Sequence, residues 1–308
     1  MAGFSVDRPP WPPERSSTTN ASRDVRAAFA EQLLAACGIS NERLLRAFTA
    51  VPREAFLPAP PWRLLSLDGT ESSTSDPTEV HRDVLVALDA DRMLFNGSPR
   101  LWAGLFHALD LREGERIAHV GTGAGYYTAI LAEIVGARGT VLGFEIDPGL
   151  AERAEENLRA WPQVSSTCGD GAEHPREPVD VIVVNAGATH VVDRWLDALR
   201  PGGRLYAPLT VEPPGPAGTL GIGVGMIVRR EADRFSARFA GPVMIFHCSS
   251  ARAPKANAAL ADALQSVPSG AESVRSLRRD PHAREADCWC HIEGRCLSFR
   301  TTTSEPHR

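Results

Sequence analysis

Several features that mark particular protein classes are missing from this sequence of 308 residues. Its 6 cysteines are too few for a disulfide scaffold. No apolar stretch approaches the roughly 18 residues that cross a bilayer, and residues 1–20 lack the apolar centre of a secretory signal. The 33 Lys and Arg against 38 Asp and Glu give a net charge of −5, which does not favour nucleic acids or anionic membranes. These absences predict a cytoplasmic protein without a nucleic-acid or membrane partner.

The first eighty residues change character three times. A hydrophobic share of 43% supports a globular core, but the proline-rich residues 1–20 predict a disordered arm. Apolar residues at helical spacing from Asp24 predict two helices, the first ending at Gly38 and the second capped by Ser40. The polar residues 66–79 predict a mobile loop.

The middle of the chain alternates short apolar runs with helical segments. Such alternation is typical of a parallel sheet covered by helices on both faces, which binds ligands at the C-terminal ends of its strands. We therefore predict an α/β fold with a doubly wound, mostly parallel sheet, N-terminal helices and a C-terminal extension. The predicted strands are Arg116–Val120, Thr140–Ile146, Val164–Cys168, Val179–Asn185 and Arg204–Leu209, and the predicted helices lie at about 124–135, 148–160 and 190–199.

The C-terminal part predicts further strands and no metal site. Cys288, Cys290 and Ile292 alternate, as residues on one face of a strand do. Their C-x-C spacing lacks the wider gap of common zinc knuckles. The predicted elements are a hairpin of residues 219–229 and 238–247, a helix at 254–265, and one strand near Cys288–Phe299.

A glycine-rich loop, Gly121-Thr122-Gly123-Ala124-Gly125, directly follows the strand Arg116–Val120. Glycines allow the backbone to turn sharply and a ligand to lie against it. A dinucleotide fingerprint needs a third glycine at position 126, where this chain has Tyr126. The loop therefore favours S-adenosylmethionine over NAD, which disfavours the alternative of an NAD(P)-dependent oxidoreductase.

Two acidic residues stand at the ends of later strands. Glu145 can accept two hydrogen bonds from a ribose diol, although a solvated strand-end acid is the other interpretation. Asp170 lies between Gly169 and Gly171, where it can accept a hydrogen bond from an adenine amino group.

In this order and spacing, these features resemble the class I S-adenosylmethionine-dependent methyltransferases, whose sheet is Rossmann-like. The chain is more closely similar to the protein-L-isoaspartate O-methyltransferase family, over about residues 24–210. The matching segments are Val51–Pro58, Leu111–Arg116, Gly125–Ala132, Glu145–Pro148 and Gly169–Gly171.

The resemblance implies S-adenosyl-L-methionine as the cofactor and methyl transfer to a carboxylate, isoaspartyl or another acidic group, of a protein or peptide. It also implies a division into an arm at 1–20, a substrate-side region at 21–110, a cofactor-binding domain at 111–247 and an extension at 248–308. The implied cofactor-binding residues are His119, Gly121, Thr122, Gly123, Gly125, Tyr126, Glu145, Ile146, Asp170, Gly171 and Asn185.

The sequence departs from the family pattern at two places. Where the family has Thr-Ile-Ser-x-Pro, residues 94–99 read Leu-Phe-Asn-Gly-Ser-Pro, so that Gly97 replaces the serine. Asn96 and Ser98 are the candidate catalytic residues, and a plain turn before a helix is the alternative. His119 stands where the family usually has Asp or Glu, and a neutral histidine supplies no negative charge.

The sequence is compatible with more than one methyl acceptor. A carboxylate has a pKa near ~4 and needs no general base, whereas an amine or hydroxyl does, and His81, His119 and His190 are the nearest candidates. The altered residues 94–99 and the polar residues 66–79 motivate a biosynthetic peptide or a small molecule as the alternative acceptor. A non-catalytic homologue that retains the cofactor pocket is a further alternative.

Overall fold

A computed structural model describes residues 21–212, 220–266, 270–292 and 294–302. The predicted arm at 1–20 and most of the tail after Thr301 lie outside these residues. Contacts divide the chain into two units that interleave along the sequence, so the domain boundaries inferred from the sequence stay predictions. Unit 1 comprises Met1–Gly114, Thr122–Val141 and Glu145–Gly169, and unit 2 comprises Glu115–Gly121, Leu142–Phe144 and Asp170–Arg308, each within the described residues.

Unit 1 begins with the two predicted helices, α1 (Arg23–Ala36) and α2 (Glu42–Ala50). Gly38, at a φ of 65°, follows α1 as expected. The prediction that Ser40 caps α2 is wrong. The cap is Asn41, whose Oδ1 accepts two backbone N–H groups of the first turn at 3.0 and 3.1 Å.

A small antiparallel sheet follows in unit 1, and the sequence did not indicate it. Its order is β2-β1-β3-β4. β2 lies inside the segment that was predicted to be a mobile loop, and this prediction is wrong because β2 pairs with β1 along its whole length. The sequence of β2, Glu-Ser-Ser-Thr, is exposed and polar, so no apolar alternation marked it. The strands are β1 (Trp62–Leu65), β2 (Glu71–Thr74), β3 (Leu85–Asp89) and β4 (Leu94–Asn96).

Three further elements of unit 1 lie close to their predicted positions: α4 (Tyr126–Val135), α5 (Pro148–Asn157) and β7 (Val164–Cys168). The helix α3 (Pro99–Ala108) follows residues 94–99, where the sequence suggested a turn before a helix only as an alternative. Apolar side chains from the small sheet, the glycine loop and α5 form one core. Its buried members are Leu57, Trp62, Leu64, Val80, Val84, Val86, Leu88, Ala124 and Leu150.

Unit 2 is built on a mixed sheet whose order is β13-β14-β12-β11-β10-β9-β8-β5-β6. β5, β8 and β9 run parallel, as predicted, while the neighbouring strands from β9 to β14 pair in antiparallel fashion. The strands are β5 (Arg116–Val120), β6 (Thr140–Glu145, shared with unit 1), β8 (Val179–Val184), β9 (Leu199–Val211), β10 (Leu220–Glu231), β11 (Arg234–Phe246), β12 (Ser276–Arg278), β13 (Cys288–Ile292) and β14 (Arg295–Ser298).

The helices of unit 2 are α6 (Asp193–Ala198), α7 (Pro254–Ser266) and α8 (Gly270–Ser273). The hairpin of β10 and β11 confirms the prediction for residues 220–246. The prediction of one terminal strand near Cys288–Phe299 is wrong, because the chain turns back between β13 and β14. Among the residues that the structure describes, no helix is both long and apolar enough to span a bilayer.

Candidate cofactor and acceptor site

The glycine loop of unit 1 has one open and one packed glycine. Gly123, at a φ of 55°, has room above it, because an added Cβ would meet only Leu88 Cδ1 at 3.7 Å. Gly125, at a φ of 98°, caps α4, and its Cβ would lie 3.1 Å from Leu158 Cδ1. The conformation therefore requires glycine at both positions, but only the backbone of Gly123 is open to a ligand.

The carboxylate of Glu145 is held by two backbone amides. Gly123 N–H donates to Oε2 at 2.8 Å, and Asp147 N–H donates to Oε1 at 3.1 Å. Burial raises the pKa of Glu145, and the hydrogen bonds from Asp147 and Gly123 partly offset this rise. Each oxygen keeps a further lone pair for an incoming donor. The next side chain, Ile146, is 54% exposed and offers an apolar surface beside this carboxylate.

Tyr126 and His119, both predicted to bind the cofactor, have almost fully buried side chains. Tyr126 in unit 1 is 1% exposed and packs edge-on against Phe56 and Tyr127, and burial raises its pKa. His119 in unit 2 is 0% exposed, and burial lowers its pKa to about 3, so its ring is neutral at physiological pH. This burial does not favour contact of either side chain with a cofactor.

The strand-end turn of unit 2 is tied together by Asn185. Its N–H donates to Val120 O at 2.7 Å, and its Nδ2 donates to Gly121 O at 3.0 Å. Gly121 has a φ of 79°, and an added Cβ would approach Asn185 O to 3.1 Å. Asn185 therefore fixes the path of the backbone where the glycine loop begins.

Asp170 caps a short 3₁₀ turn and meets the C-terminal extension. Its Oδ1 accepts the Ala172 N–H at 2.8 Å and the hydroxyl of Ser250. Gly171 is required beside it, because a Cβ would lie 2.2 Å from Val120 Cγ1. Sequence reasoning missed Ser250, since nothing along the chain links it to a residue 80 positions earlier.

The two candidate catalytic residues both have structural partners. Asn96 is 6% exposed, and its Oδ1 accepts a hydrogen bond from Arg53 Nε at 2.9 Å. Ser98 Oγ donates to Asp83 Oδ1 at 2.7 Å and accepts the Leu101 N–H at 3.3 Å as the cap of α3. The structure therefore agrees with the alternative interpretation of Ser98, a turn that starts a helix, and a catalytic role for either residue stays a prediction.

Arg53 organises the segments around Asn96, and sequence reasoning assigned it no role. Its side chain is 0% exposed. The only signal was a pair of adjacent charged residues, Arg53 and Glu54, inside an otherwise apolar motif, Val51–Pro58. The guanidinium donates to the carbonyl oxygens of Val80 (2.9 Å), Arg82 (3.2 Å), Val84 (2.8 Å), Asn96 (3.2 Å) and Gly97 (3.1 Å).

Aromatic rings occupy the space around Gly97. The Trp102 and Tyr127 rings stack at a centroid distance of 4.9 Å, and the Tyr127 hydroxyl donates to Gly97 O. A Cβ at position 97 would lie 2.9 Å from Trp102 Nε1. The structure therefore has little room for the serine that the family pattern places here.

The histidines named as possible bases differ in environment. His81 Nε2 lies 2.7 Å from Glu54 Oε2, and both side chains are buried. His119 is buried and neutral, as described above. His190, in unit 2, is partly exposed, and burial lowers its pKa. Since two of the three have no surface to present to an acceptor, the arrangement favours an acceptor that needs no base.

Comparison with known proteins identifies a family. A family profile described as Protein-L-isoaspartate(D-aspartate) O-methyltransferase (PCMT) matches residues 25–214. A protein-L-isoaspartate O-methyltransferase of Methylorubrum extorquens is 34% identical over 234 residues, covering 75% of this chain and 91% of that relative. One from Ignicoccus hospitalis is 32% identical over 185 residues, covering 59% and 80%.

Solved structures confirm the predicted fold class. A protein-L-isoaspartate O-methyltransferase has a TM-score of 0.59 at 22% identity, covering 83% of this chain and 72% of its own. A Plasmodium falciparum protein, described as a putative protein-L-isoaspartate O-methyltransferase in complex with S-adenosyl-L-homocysteine, has a TM-score of 0.53 at 15% identity, covering 72% and 97%. At these identities the structural likeness establishes the fold and nothing finer.

Proposed function

The chain belongs to the protein-L-isoaspartate(D-aspartate) O-methyltransferase family, and on this premise we propose that it methylates a carboxylate, isoaspartyl or another acidic group, of a protein or peptide. Membership confirms the predicted enzyme class, a methyltransferase that uses S-adenosyl-L-methionine. The observation that carries the proposal is the Glu145 carboxylate, buried at a strand end and held by the amide of the glycine loop.

We propose that the predicted cofactor residues have two kinds of role. Those with accessible surface, together with the carboxylate of Glu145, contact the cofactor, while the buried ones shape the backbone that presents them. Gly123, with open space over its backbone, and the exposed Ile146 support this division. The proposed contact residues are Gly121, Gly123, Glu145, Ile146, Asp170 and Asn185, and the proposed backbone-shaping residues are His119, Thr122, Gly125, Tyr126 and Gly171.

The chemistry needs position more than acid–base help. The cofactor supplies a methyl group already activated on a sulfonium, so the protein has mainly to hold the acceptor in line with it. An acceptor carboxylate is ionised at neutral pH and loses no proton on methylation. Methylation of a carboxylate therefore needs no general base, which agrees with the burial of His81 and His119.

A second candidate keeps the reaction and changes the acceptor to a carboxylate of another peptide or a small molecule. It is favoured by Gly97, where the family's serine is replaced and Trp102 Nε1 lies 2.9 Å from the position of a Cβ. The nearest hydroxyl, that of Ser98, already binds Asp83 and caps α3. The cytoplasmic location and the absence of nucleic-acid partners stay predictions.

The test is methyl transfer from labelled cofactor to paired peptides. Two peptides of one sequence, differing only in an isoaspartyl or a normal aspartyl residue, are incubated with the full chain, and base-labile methanol is counted. Isoaspartyl-dependent label supports repair-type methylation. Label in both peptides or in neither, with cofactor binding intact, removes isoaspartyl selectivity and favours the second candidate. Label that resists base would contradict carboxyl methylation itself.

A further inference from the structure

Four potential metal ligands converge in the C-terminal part of unit 2. The ligand atoms of His282, Cys288, His291 and Cys296 all lie within 4.8 Å of one another. Both cysteines are buried, at 6% and 2% exposure. Cys288 Sγ lies 3.5 Å from His282 Nε2, close to the roughly 3.6 Å that separates sulfur and nitrogen ligands across a tetrahedral zinc ion.

A β-bulge in β13 makes this convergence possible. Cys288 and His291 are three residues apart, and in a regular strand their side chains would point to opposite faces. The pairing steps from Cys288↔Ser298 to Cys290↔Leu297, so the partner strand advances one residue while β13 advances two. The inserted residue returns His291, opposite Cys296, to the face that holds Cys288.

The remaining ligand comes from the irregular segment before the hairpin, and its ring is oriented by neighbours. His282 Nδ1 lies 2.7 Å from Asp280 O and 3.3 Å from Asp280 Oδ2. Arg278 in turn holds both carboxylate oxygens of Asp280, at 3.0 and 2.6 Å. Such a bond on Nδ1 leaves Nε2 as the nitrogen for a metal, as is usual behind metal-binding histidines.

The other ligands have the environment that zinc sites use. Glu285 N–H donates to Cys288 Sγ at 3.4 Å, an interaction that stabilises a thiolate. His291 Nδ1 is buried and makes no hydrogen bond among the described residues. A ring nitrogen left in this condition costs free energy unless an ion or another partner satisfies it.

We propose that His282, Cys288, His291 and Cys296 bind one structural Zn²⁺. Two thiolates neutralise the charge of the ion, so a Cys₂His₂ site can lie in a buried environment at small electrostatic cost. With four protein ligands the site is closed, and no position is left for a substrate or water. It therefore stabilises the fold and takes no part in methyl transfer, so it stands or falls independently of the proposed function.

The site would attach the irregular segment around His282 to the end of the sheet. β13 is the last strand in the order, and the segment from Arg279 to Asp287 contains no helix or strand. A zinc ion bound by that segment and by both strands of the hairpin replaces the support that a further strand would give. The sequence pattern His-x5-Cys-x2-His-x4-Cys did not predict the site, because the bulge that brings Cys288 and His291 to one face cannot be recognised in the sequence.

The test is metal analysis of the full chain purified without added metal or chelator. We expect about one zinc per chain by mass spectrometry of the elements. Cys296→Ser and His291→Gln should each reduce the content at least fivefold. Cys290→Ser is the matched control, because Cys290 is a buried cysteine of β13 that lies outside the cluster. This variant should retain the ion.

A second measurement uses the wild-type chain, so that the proposal can be tested even if the variants do not fold. Wild-type chain is stripped of metal with a mercurial reagent that binds the thiolates. The mercurial is then displaced by an excess of a small thiol and removed, and the freed chain is loaded with Co²⁺. Strong visible bands of tetrahedral cobalt and thiolate-to-cobalt charge transfer are expected. Folded wild-type chain that holds no zinc and gives no such bands on loading overturns the proposal. A Cys288–Cys296 disulfide found by mass spectrometry of freshly purified chain overturns it as well.

Discussion

Two buried charged side chains of unit 1 differ in how well their roles could be predicted from the sequence. Glu145 is held by the amides of Gly123 and Asp147, both inside recognisable motifs. Arg53 is held by carbonyl groups 27 to 44 residues away, some around residue 80, where no motif was recognised, and others in residues 94–99, where the family motif is altered. A charged group that binds motif backbone can be assigned from the sequence, whereas one that gathers distant loops cannot.

The largest expected effect is that of Arg53→Met on stability. The substitution removes the guanidinium donor from five carbonyl groups, three of which take part in fully buried hydrogen bonds. Of the five, Gly97 O also accepts the Tyr127 hydroxyl. Loss of a buried charge-assisted network costs about 3 kcal/mol or more in the free energy of unfolding. Urea denaturation followed by circular dichroism measures this loss.

Arg46→Met is the matched control for that experiment, because the side chain of Arg46 is 71% exposed and pairs with the exposed Glu42 at 3.6 Å. Its effect should stay within about 0.5 kcal/mol. Equal losses for both variants would mean that Arg53 does not organise the segments around residues 80–97.

The next effect is that of Glu145→Gln on cofactor binding. An amide keeps the shape but presents an NH₂ group where the carboxylate accepted an N–H, and it weakens acceptance from a diol. Hydrogen bonds to a charged group contribute about 1.5–3 kcal/mol, so affinity for S-adenosylhomocysteine should fall roughly 10- to 100-fold by calorimetry. Glu152→Gln, an exposed residue of α5, should change nothing. Unchanged affinity of Glu145→Gln would refute the ribose role.

The elements that the sequence predicted well are those with local signals. The strands β5, β8 and β9 each contain a short, mostly apolar run, although β9 begins at Leu199, before the predicted Arg204. The glycine loop directly follows β5, and Glu145 ends β6. The edge strand β2 has no such signal, because an exposed polar strand depends on its partner β1 for its conformation. Similarly, the cap of α2 is Asn41 and not Ser40, because both residue types can cap a helix and a sequence pattern does not fix the first residue of a helix to within one position.

The site residues follow the same rule. Asp170 was found from its flanking glycines, but its partner Ser250 comes from the extension, 80 residues later. The hydroxyl of Ser98 was proposed for catalysis because its sequence neighbours resemble a motif. Its bond to Asp83 reaches a loop 15 residues earlier, which no pattern connected with it. Its bond to the Leu101 N–H is local, as expected for a turn that starts a helix.

A smaller effect is expected when the family's serine is restored by Gly97→Ser. Its Cβ would lie 2.9 Å from Trp102 Nε1, so the ring or the backbone must shift, at about 1–3 kcal/mol. Thermal unfolding measures the loss. Gly104→Ser, where a Cβ meets nothing within 4 Å, is the control and should cost almost nothing. A Gly97→Ser chain as stable as wild type would show that position 97 tolerates the serine.

The smallest effect concerns the pH dependence of cofactor binding. Burial raises the pKa of Glu145 above its ordinary value of 4.5, with backbone hydrogen bonds partly opposing. As pH falls towards that raised pKa, the carboxylate takes up a proton and loses acceptor capacity. Affinity for S-adenosylhomocysteine should therefore decline on acidification already above pH 4.5, by at most tenfold per pH unit.

Folding stability should respond to the same proton in the opposite direction. Because the pKa of Glu145 is raised by folding, the folded chain binds this proton more tightly than the unfolded chain. The contribution is fully present below the unfolded pKa and is lost as pH rises through the folded one. Glu145→Gln should flatten both profiles, and subtracting its curves from those of the wild type isolates this group. An affinity difference that rises on acidification, in parallel with the stability difference, would mean that Glu145 does not bind the cofactor in its ionised form.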